Sequence, residues 1–196
     1  QEEISRNPLC MPDADASLRA QDYLEECMKQ QDSSGGVVEC FADGVPAGLG
    51  DPVFDKLDAA LAGAVMSIGA VKAVEIGDGI AVSQAKGSEN NDPFHMCGGR
   101  VEKETNHAGG ILGGISDGSR ILLRAHIKPT PSIFSEQQTV TRDGEDLTIR
   151  IKGRHDPVIV PRAVVVVEAM TALVLADALL SNMTARLDRI RDFYGV

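Results

Sequence analysis

Apolar side chains recur at helical spacing in the first third of the chain. Leu18, Leu24, Cys27 and Met28 share one face behind Asp13 or Asp15, either of which can cap the helix, and the segment is predicted to end near Gly35-Gly36. Residues 1–12, with Pro8 and Pro12, have no period and read as irregular. Val37–Ala42 alternates as a strand does, and 44–50 is a Gly/Pro loop. Asp51-Pro52 supplies a capping carboxylate and a proline at the first helical position. Phe54, Leu57, Leu61, Ala64, Val65 and Ile68 then follow at helical spacing.

Val71–Ile76 and Ile80–Ala85 flank Gly77-Asp78-Gly79 and predict a hairpin, whereas residues 86–105 read as a polar loop. Ile121–Ile127 is a strand. Asp143-Gly144 turns a second hairpin that returns through Leu147–Ile151. The longest helix is predicted from Arg162 to about Ile190. Val164–Val167 would suit a strand on propensity, but the flanking Ala, Met, Leu and Glu favour a buried helix. No segment repeats. Separate helices and hairpins define an α+β fold: one domain over 13–196 after an irregular 1–12.

Composition narrows the function. Acidic residues outnumber basic ones 29 to 19, a net charge of −10, which argues against a nucleic-acid partner. Any anion site must therefore be a local cationic cluster. With no Trp and few other aromatics, the core must rest on aliphatic residues. Cys10, Cys27, Cys40 and Cys97 form no CxxC pair and no apolar leader precedes them, so reduced thiols in a cytosol-like compartment are expected. Glu168 and Asp177 interrupt the apolar run 163–180, which argues against a membrane span. Gln1, without an initiator Met, suggests a cut within a longer protein.

Candidate chemistry concentrates in three segments. Lys152-Gly153-Arg154-His155-Asp156-Pro157 combines two cations, an imidazole and a carboxylate, so Arg154 can grip an oxyanion while His155 and Asp156 move protons. Asn106–Ser116 holds two glycine pairs, either a tight bend between packed elements or a backbone cradle for phosphates or a flat ring. It matches neither GxGxxG nor a P-loop. Lys128-Pro129-Thr130-Pro131-Ser132 is a stiff run, either a surface loop or a polar clamp. His95-x-Cys97 with His107 or Cys40 fits no recognised zinc spacing, so no metal site is expected, and His126 reads as a core-edge histidine.

These segments together resemble the C-terminal half of chorismate synthase. The matching stretches are 44–50 with 52–58, Val74–Gly79, Asn106–Ser116, Lys128-Pro129-Thr130, Gly153–Pro157, Val167–Met170 and Val174–Asp177. The resemblance implies half of that family's β-α-β sandwich. It also implies conversion of 5-enolpyruvylshikimate 3-phosphate to chorismate and phosphate with reduced FMN. NADPH is a candidate reductant, and the resemblance implies a homotetramer in the cytoplasm, or in a plastid if the source bears one. It places cofactor contacts at Gly69, Ala70, Gly113, Lys128, Pro129, Thr130, Pro131, Ser132 and Arg154, and proton handling at Asp156.

Some positions depart from the family pattern. Gly69 stands where asparagine is common and Val158 where cysteine is usual, and a proline usual in the following segment is replaced within Val164–Val167. The family's N-terminal half, with two proton-transfer histidines and most substrate-gripping arginines, is expected to be missing and the chain alone inactive. The alternative is a shortened, non-catalytic module for flavin binding or subunit interaction.

Overall fold

The structure, a computed structural model, describes residues 2–153 and 155–195. The chain divides into two compact units, Gln1–Val37 with His126–Val164, and Val38–Ala125 with Val165–Val196. Its helices and hairpins bear out the α+β reading.

The second unit is organised by a three-stranded sheet of order β1-β7-β2, formed by β1 (Gly36–Ala42), β7 (Ile121–Ile127) and β2 (Val71–Ile76). Alternate residues of β7 are buried, and Ile121, Leu123 and Ala125 join Val38, Val71 and Ile111 in an aliphatic core. Helix α3 (Leu57–Met66) closes that core with Leu57, Leu61 and Val65. It starts five residues later than the Asp51-Pro52 signal predicts. Asp51 and Asp55 exchange backbone hydrogen bonds and close a loop, and the first helical N–H, that of Leu57, donates to the Gly114 carbonyl at 2.9 Å. A tertiary backbone bond thus overrides the local cap.

The hairpin predicted at Gly77-Asp78-Gly79 does not form. The Gly77 N–H donates to Leu122 O and the Asp78 N–H to His107 O, each at 2.9 Å, and Gly79–Gln84 winds into a 3₁₀ helix. Conversely, the predicted loop 86–105 holds a short helix α4 (Gly87–Asn90) and a hairpin of β3 (Phe94–Cys97) and β4 (Arg100–Lys103). Gly98-Gly99, both at positive φ, turn that hairpin in two residues. A smaller ladder pairs β5 (Ile111–Leu112) with β6 (Ile115–Ser116) around Gly113-Gly114.

The long C-terminal helix is two. Helix α5 (Val160–Met183) stops where Asn182 donates to the Gly48 carbonyl at 2.9 Å and accepts from Arg189, and α6 (Leu187–Tyr194) follows. Only Val167 and Thr171 of α5 are fully buried, so the helix expected to be covered all round buries one stripe. By length and composition α5 could cross a membrane, with a mean hydropathy of 2.2 in its most apolar window. Glu168 and Asp177 interrupt it all the same.

The first unit begins with a short helix α1 (Glu2–Arg6) inside the stretch read as irregular. Asn7 ties it down, donating to Glu3 O and Met11 O and accepting from the Ser17 hydroxyl. Helix α2 (Ala14–Lys29) is capped by Asp13, which accepts from Ala16 N–H as expected. Cys27 is buried, but Leu18 and Met28 are exposed rather than core-facing. The helix ends short of Gly35-Gly36 because Gln31 takes a left-handed φ of 61°. Gln31 N–H then bonds Met28 O, and Asp32 N–H bonds Cys27 O. That pair of bonds is a Schellman closure. The hairpin expected around Asp143-Gly144 is present, β8 (Gln137–Val140) on β9 (Asp146–Ile149).

One close approach fixes the glycine segment. Gly109 sits at φ 65°, and a Cβ there would lie 2.4 Å from the Gly77 nitrogen. Gly113, at φ 61°, faces open space. Gly109→Ala is expected to lower stability by about 2–3 kcal/mol, and Gly113→Ala by only about 1 kcal/mol for its φ alone. Urea unfolding midpoints measure the difference, and equal losses would contradict the packing assigned to Gly109.

Candidate functional site

In the first unit a cleft of about 220 Å³ opens where three segments meet: Met28 with Gln31–Ser33, Ser132–Phe134, and His155–Pro157. Backbone and hydroxyl bonds hold them together. Ser33 Oγ donates to Thr130 O at 2.7 Å, Ser34 N–H to Pro157 O at 2.7 Å, and Ser135 N–H to Gln31 O at 3.3 Å. Gln137 Nε2 donates to Pro131 O, so the Pro-Thr-Pro-Ser run is pinned on both sides. The Schellman exit of α2 delivers residues 31–34 to this junction.

Inside the cleft, Asp156 is gripped by Arg162, whose two terminal nitrogens reach its two oxygens at 2.8 and 3.2 Å. The carboxylate is thereby oriented by the first turn of α5. His155 meets Phe134 edge-on at 4.6 Å, and its Nε2 lies 3.1 Å from the Ile151 carbonyl. A carbonyl can only accept, so Nε2 carries the proton in that bond. Met28, Ile133, Phe134 and Pro157 supply the apolar wall. Among the described lining residues His155 is the only group able to carry positive charge, so the cleft suits the edge of a flat heterocycle better than a phosphate. Its volume is below the roughly 300–1,000 Å³ of whole-ligand sites, so it can enclose only part of a cofactor.

Ser132 and Asp156 therefore line one cleft, with Thr130 and Pro131 fixed beside it. The Thr130 hydroxyl oxygen is buried and has no hydrogen-bond partner among the described residues. Lys128 is half-buried and makes no ion pair with a described residue. Arg154 lies outside the described residues.

In the second unit, Gly69 and Ala70 form the turn from α3 into β2, with Ala70 at φ 72°, and Gly113 tips the β5–β6 hairpin. A side chain at Gly69 or Gly113 would meet nothing within 4 Å, so both leave an open approach to backbone. That unit also has a cavity of about 480 Å³ lined by Asp51, Asp55 and Asp177, a charge set unsuited to an anionic ligand. Sequence reasoning missed Met28, Gln31–Ser33 and Phe134. No local spacing marks them, because they reach the cleft only through the turn after α2.

The segment 105–108, which leads into the β5–β6 hairpin, is anchored by Asp92. Burial pushes the Asp92 carboxyl up, but N–H bonds from Ala108 and His107, the Thr105 hydroxyl and Lys103 outweigh it and hold it at about 2. Lys103, itself buried, also pairs with Asp117. His107 is taken by Asp78, and Cys40 faces Thr171 at 3.8 Å, where burial pushes its thiol up. Neither is free to join His95 and Cys97.

Separate helices and antiparallel hairpins place the chain in the α+β class, with an apolar-walled cleft in one unit and open glycine turns in the other. Comparison with known proteins makes the class specific. The chorismate synthase family model matches residues 1–180. The chain is 64% identical over 192 residues to the chorismate synthase of Agathobacter rectalis, covering 98% of this chain and 52% of that protein. It is 60% identical to that of Archaeoglobus fulgidus, covering 91% and 50%. A chorismate synthase crystal structure superposes with a TM-score of 0.77 at 32% identity, over 98% of this chain and 52% of that one. This chain belongs to the chorismate synthase family. It spans about half the length of the curated relatives it matches.

Because the folded value of Asp92 lies below the ordinary 3.8, its stabilising effect is complete above that pH and is lost as pH falls towards 2. Asp92→Asn is expected to cost about 2–4 kcal/mol near neutrality, since it leaves backbone donors and Lys103 poorly paired. It should also flatten the acid limb of the stability curve between those pH values. An unchanged acid limb would place the acid sensitivity elsewhere.

Proposed function

We propose that this chain is the part of a chorismate synthase that cradles reduced FMN, in an enzyme converting 5-enolpyruvylshikimate 3-phosphate to chorismate and phosphate. The observation that carries this reading is the junction of the Pro-Thr-Pro-Ser run with Asp156 around one apolar-walled cleft, beside a buried Thr130 hydroxyl that lacks a partner among the described residues. A polar atom of the ring system would satisfy that hydroxyl. Gly69, Ala70 and Gly113 offer backbone to the cofactor, while Lys128 and Arg154 offset its negative charge and that of a phosphorylated substrate.

Reduced flavin, held by these residues, would supply the transient electron density that cleavage of the C–O bond to phosphate needs. The protein's own part is to hold and orient. Asp156, fixed by Arg162, is placed to handle a proton, and Phe134 and Ile133 keep water from the ring edge. NADPH serves as the external reductant, and the cytoplasm as the compartment of this soluble biosynthetic family.

Anaerobic titration with reduced FMN, with and without the phosphorylated substrate, tests the reading. Lys128→Ala and Arg154→Ala are expected to weaken binding about ten- to a hundredfold, the effect of losing one charge-assisted hydrogen bond of about 1.5–3 kcal/mol. Thr130→Val should leave the stability of the free chain unchanged or raised, since it removes an unpaired buried hydroxyl, yet weaken flavin binding. Asp156→Asn should keep flavin affinity and, in a complete enzyme carrying this sequence, lower turnover by about 10²–10⁴-fold. Unchanged affinity in all three binding variants would remove the cradle from this place.

Assembly is part of the proposal. Val165, Leu173 and Leu180 of α5 are 63–64% exposed, an apolar surface that a homo-oligomer, a tetramer in the complete enzyme, would cover. The chain is expected to sediment as a dimer or larger at micromolar concentration, and Leu173→Glu should shift it towards monomer. A monodisperse wild-type monomer would contradict this.

A further inference from the structure

We propose that His95, Cys97 and Glu102 form a binding site for one divalent transition metal of the zinc class on the β3–β4 hairpin. The ladder register sets His95 opposite Glu102, and Cys97 lies two residues beyond His95. Alternation in a strand therefore puts all three on one face of the ribbon, with Phe94, Met96, Val101 and Lys103 on the other. The imidazole nitrogen, the thiol sulfur and a carboxylate oxygen lie within 4.8 Å of one another. Ligand atoms around a tetrahedral zinc stand roughly 3.3–3.7 Å apart, given bond lengths of about 2.0–2.3 Å. All three side chains are exposed, so rotation about their own bonds is the movement that binding would require.

Among the described residues this is the one such group of three, and its members are unlike the rest of the acidic surface. One nitrogen, one sulfur and one oxygen ligand select a borderline cation such as zinc over calcium or magnesium, which need all-oxygen sites. The third ligand escapes a reading of spacing along the chain because it comes from across the hairpin. His95-x-Cys97 supplies two ligands on one strand, and the Gly98-Gly99 turn brings Glu102 back beside them. Arg100, the ladder partner of Cys97, shares the face but is exposed and long enough to turn to solvent. Three protein ligands leave a fourth position for water, consistent with the exposure of all three side chains. Occupied, the site would tie β3 to β4 in a hairpin that buries almost nothing of its own.

The test uses the full chain, reduced and freed of metal, titrated with Zn²⁺ against a chromophoric chelator and separately with Co²⁺. One zinc per chain is expected, with release of the Cys97 proton on binding. Co²⁺ should give a thiolate-to-metal charge-transfer band that is lost in Cys97→Ser and retained in Cys10→Ser. His95→Ala and Glu102→Gln should each lower zinc affinity by at least about tenfold. Glu102→Gln keeps the size of the side chain, so its effect does not depend on the hairpin being disturbed. The proposal is overturned if stoichiometric zinc binding is absent, if the cobalt band survives Cys97→Ser, or if both affinity variants bind like the wild type.

Discussion

Strand β7 has neighbours on both edges and buries every second side chain, with Ile121, Leu123, Ala125 and Ile127 at most 5% exposed. A strand so placed can neither slip nor shift, because a one-residue slip would turn all four to the other face. Between them Arg124 stitches the sheet, donating to Glu39 on β1 and to the Gly77 carbonyl after β2, each at 2.8 Å. The ladder must stop at Pro129, which has no N–H to give. Lys128–Ser132 therefore leaves the sheet as a loop at a fixed point. Gly35 permits the close approach there, since a Cβ on it would lie 2.5 Å from the Ile127 carbonyl. Register and loop exit are consequences of one buried alternation.

Elements whose signals are local were legible in the sequence. Asp13 caps α2, Val37–Ala42 and Ile121–Ile127 are strands, and Asp143-Gly144 turns a hairpin, because each depends on its own few residues. Failures came where a distant backbone group decided. Gly114 sets the start of α3, Leu122 and His107 take the N–H groups of Gly77 and Asp78, and Gly48 helps end α5. The β3–β4 hairpin is different, for its signal was present. Phe94–Cys97 and Arg100–Val101 flank a two-residue Gly-Gly loop, and the polar composition around them obscured it.

The candidate site divides along the same line. Lys128–Ser132, Asp156 and the glycines stand in recognisable motifs, and the family resemblance that located them is supported by the match over residues 1–180. Residues 31–34 carry no motif at all, yet they hold the Thr130 and Pro157 carbonyls in place. Their contribution is purely positional. It depends on the left-handed Gln31 that ends α2, a conformation that nothing in the side chain announces.

Composition misleads most in α5. Its residues are apolar on nearly every side, which in a closed fold would mean burial all round, but burial is confined to the stripe of Val167 and Thr171. The Thr171 hydroxyl donates to Val167 O and accepts from the Cys40 thiol, so the buried polar group is satisfied inside the fold. The covered stripe is therefore complete, and the exposed faces take no part in it. A helix that kept Val165, Leu173 and Leu180 in water without use would lower solubility for no structural gain, since substituting polar residues there would leave the stripe untouched. Apolar side chains on faces the fold does not use are what the assembly proposed above would cover. The proposed assembly would thus divide two demands on this helix, one stripe holding the sheet and the exposed faces meeting a partner.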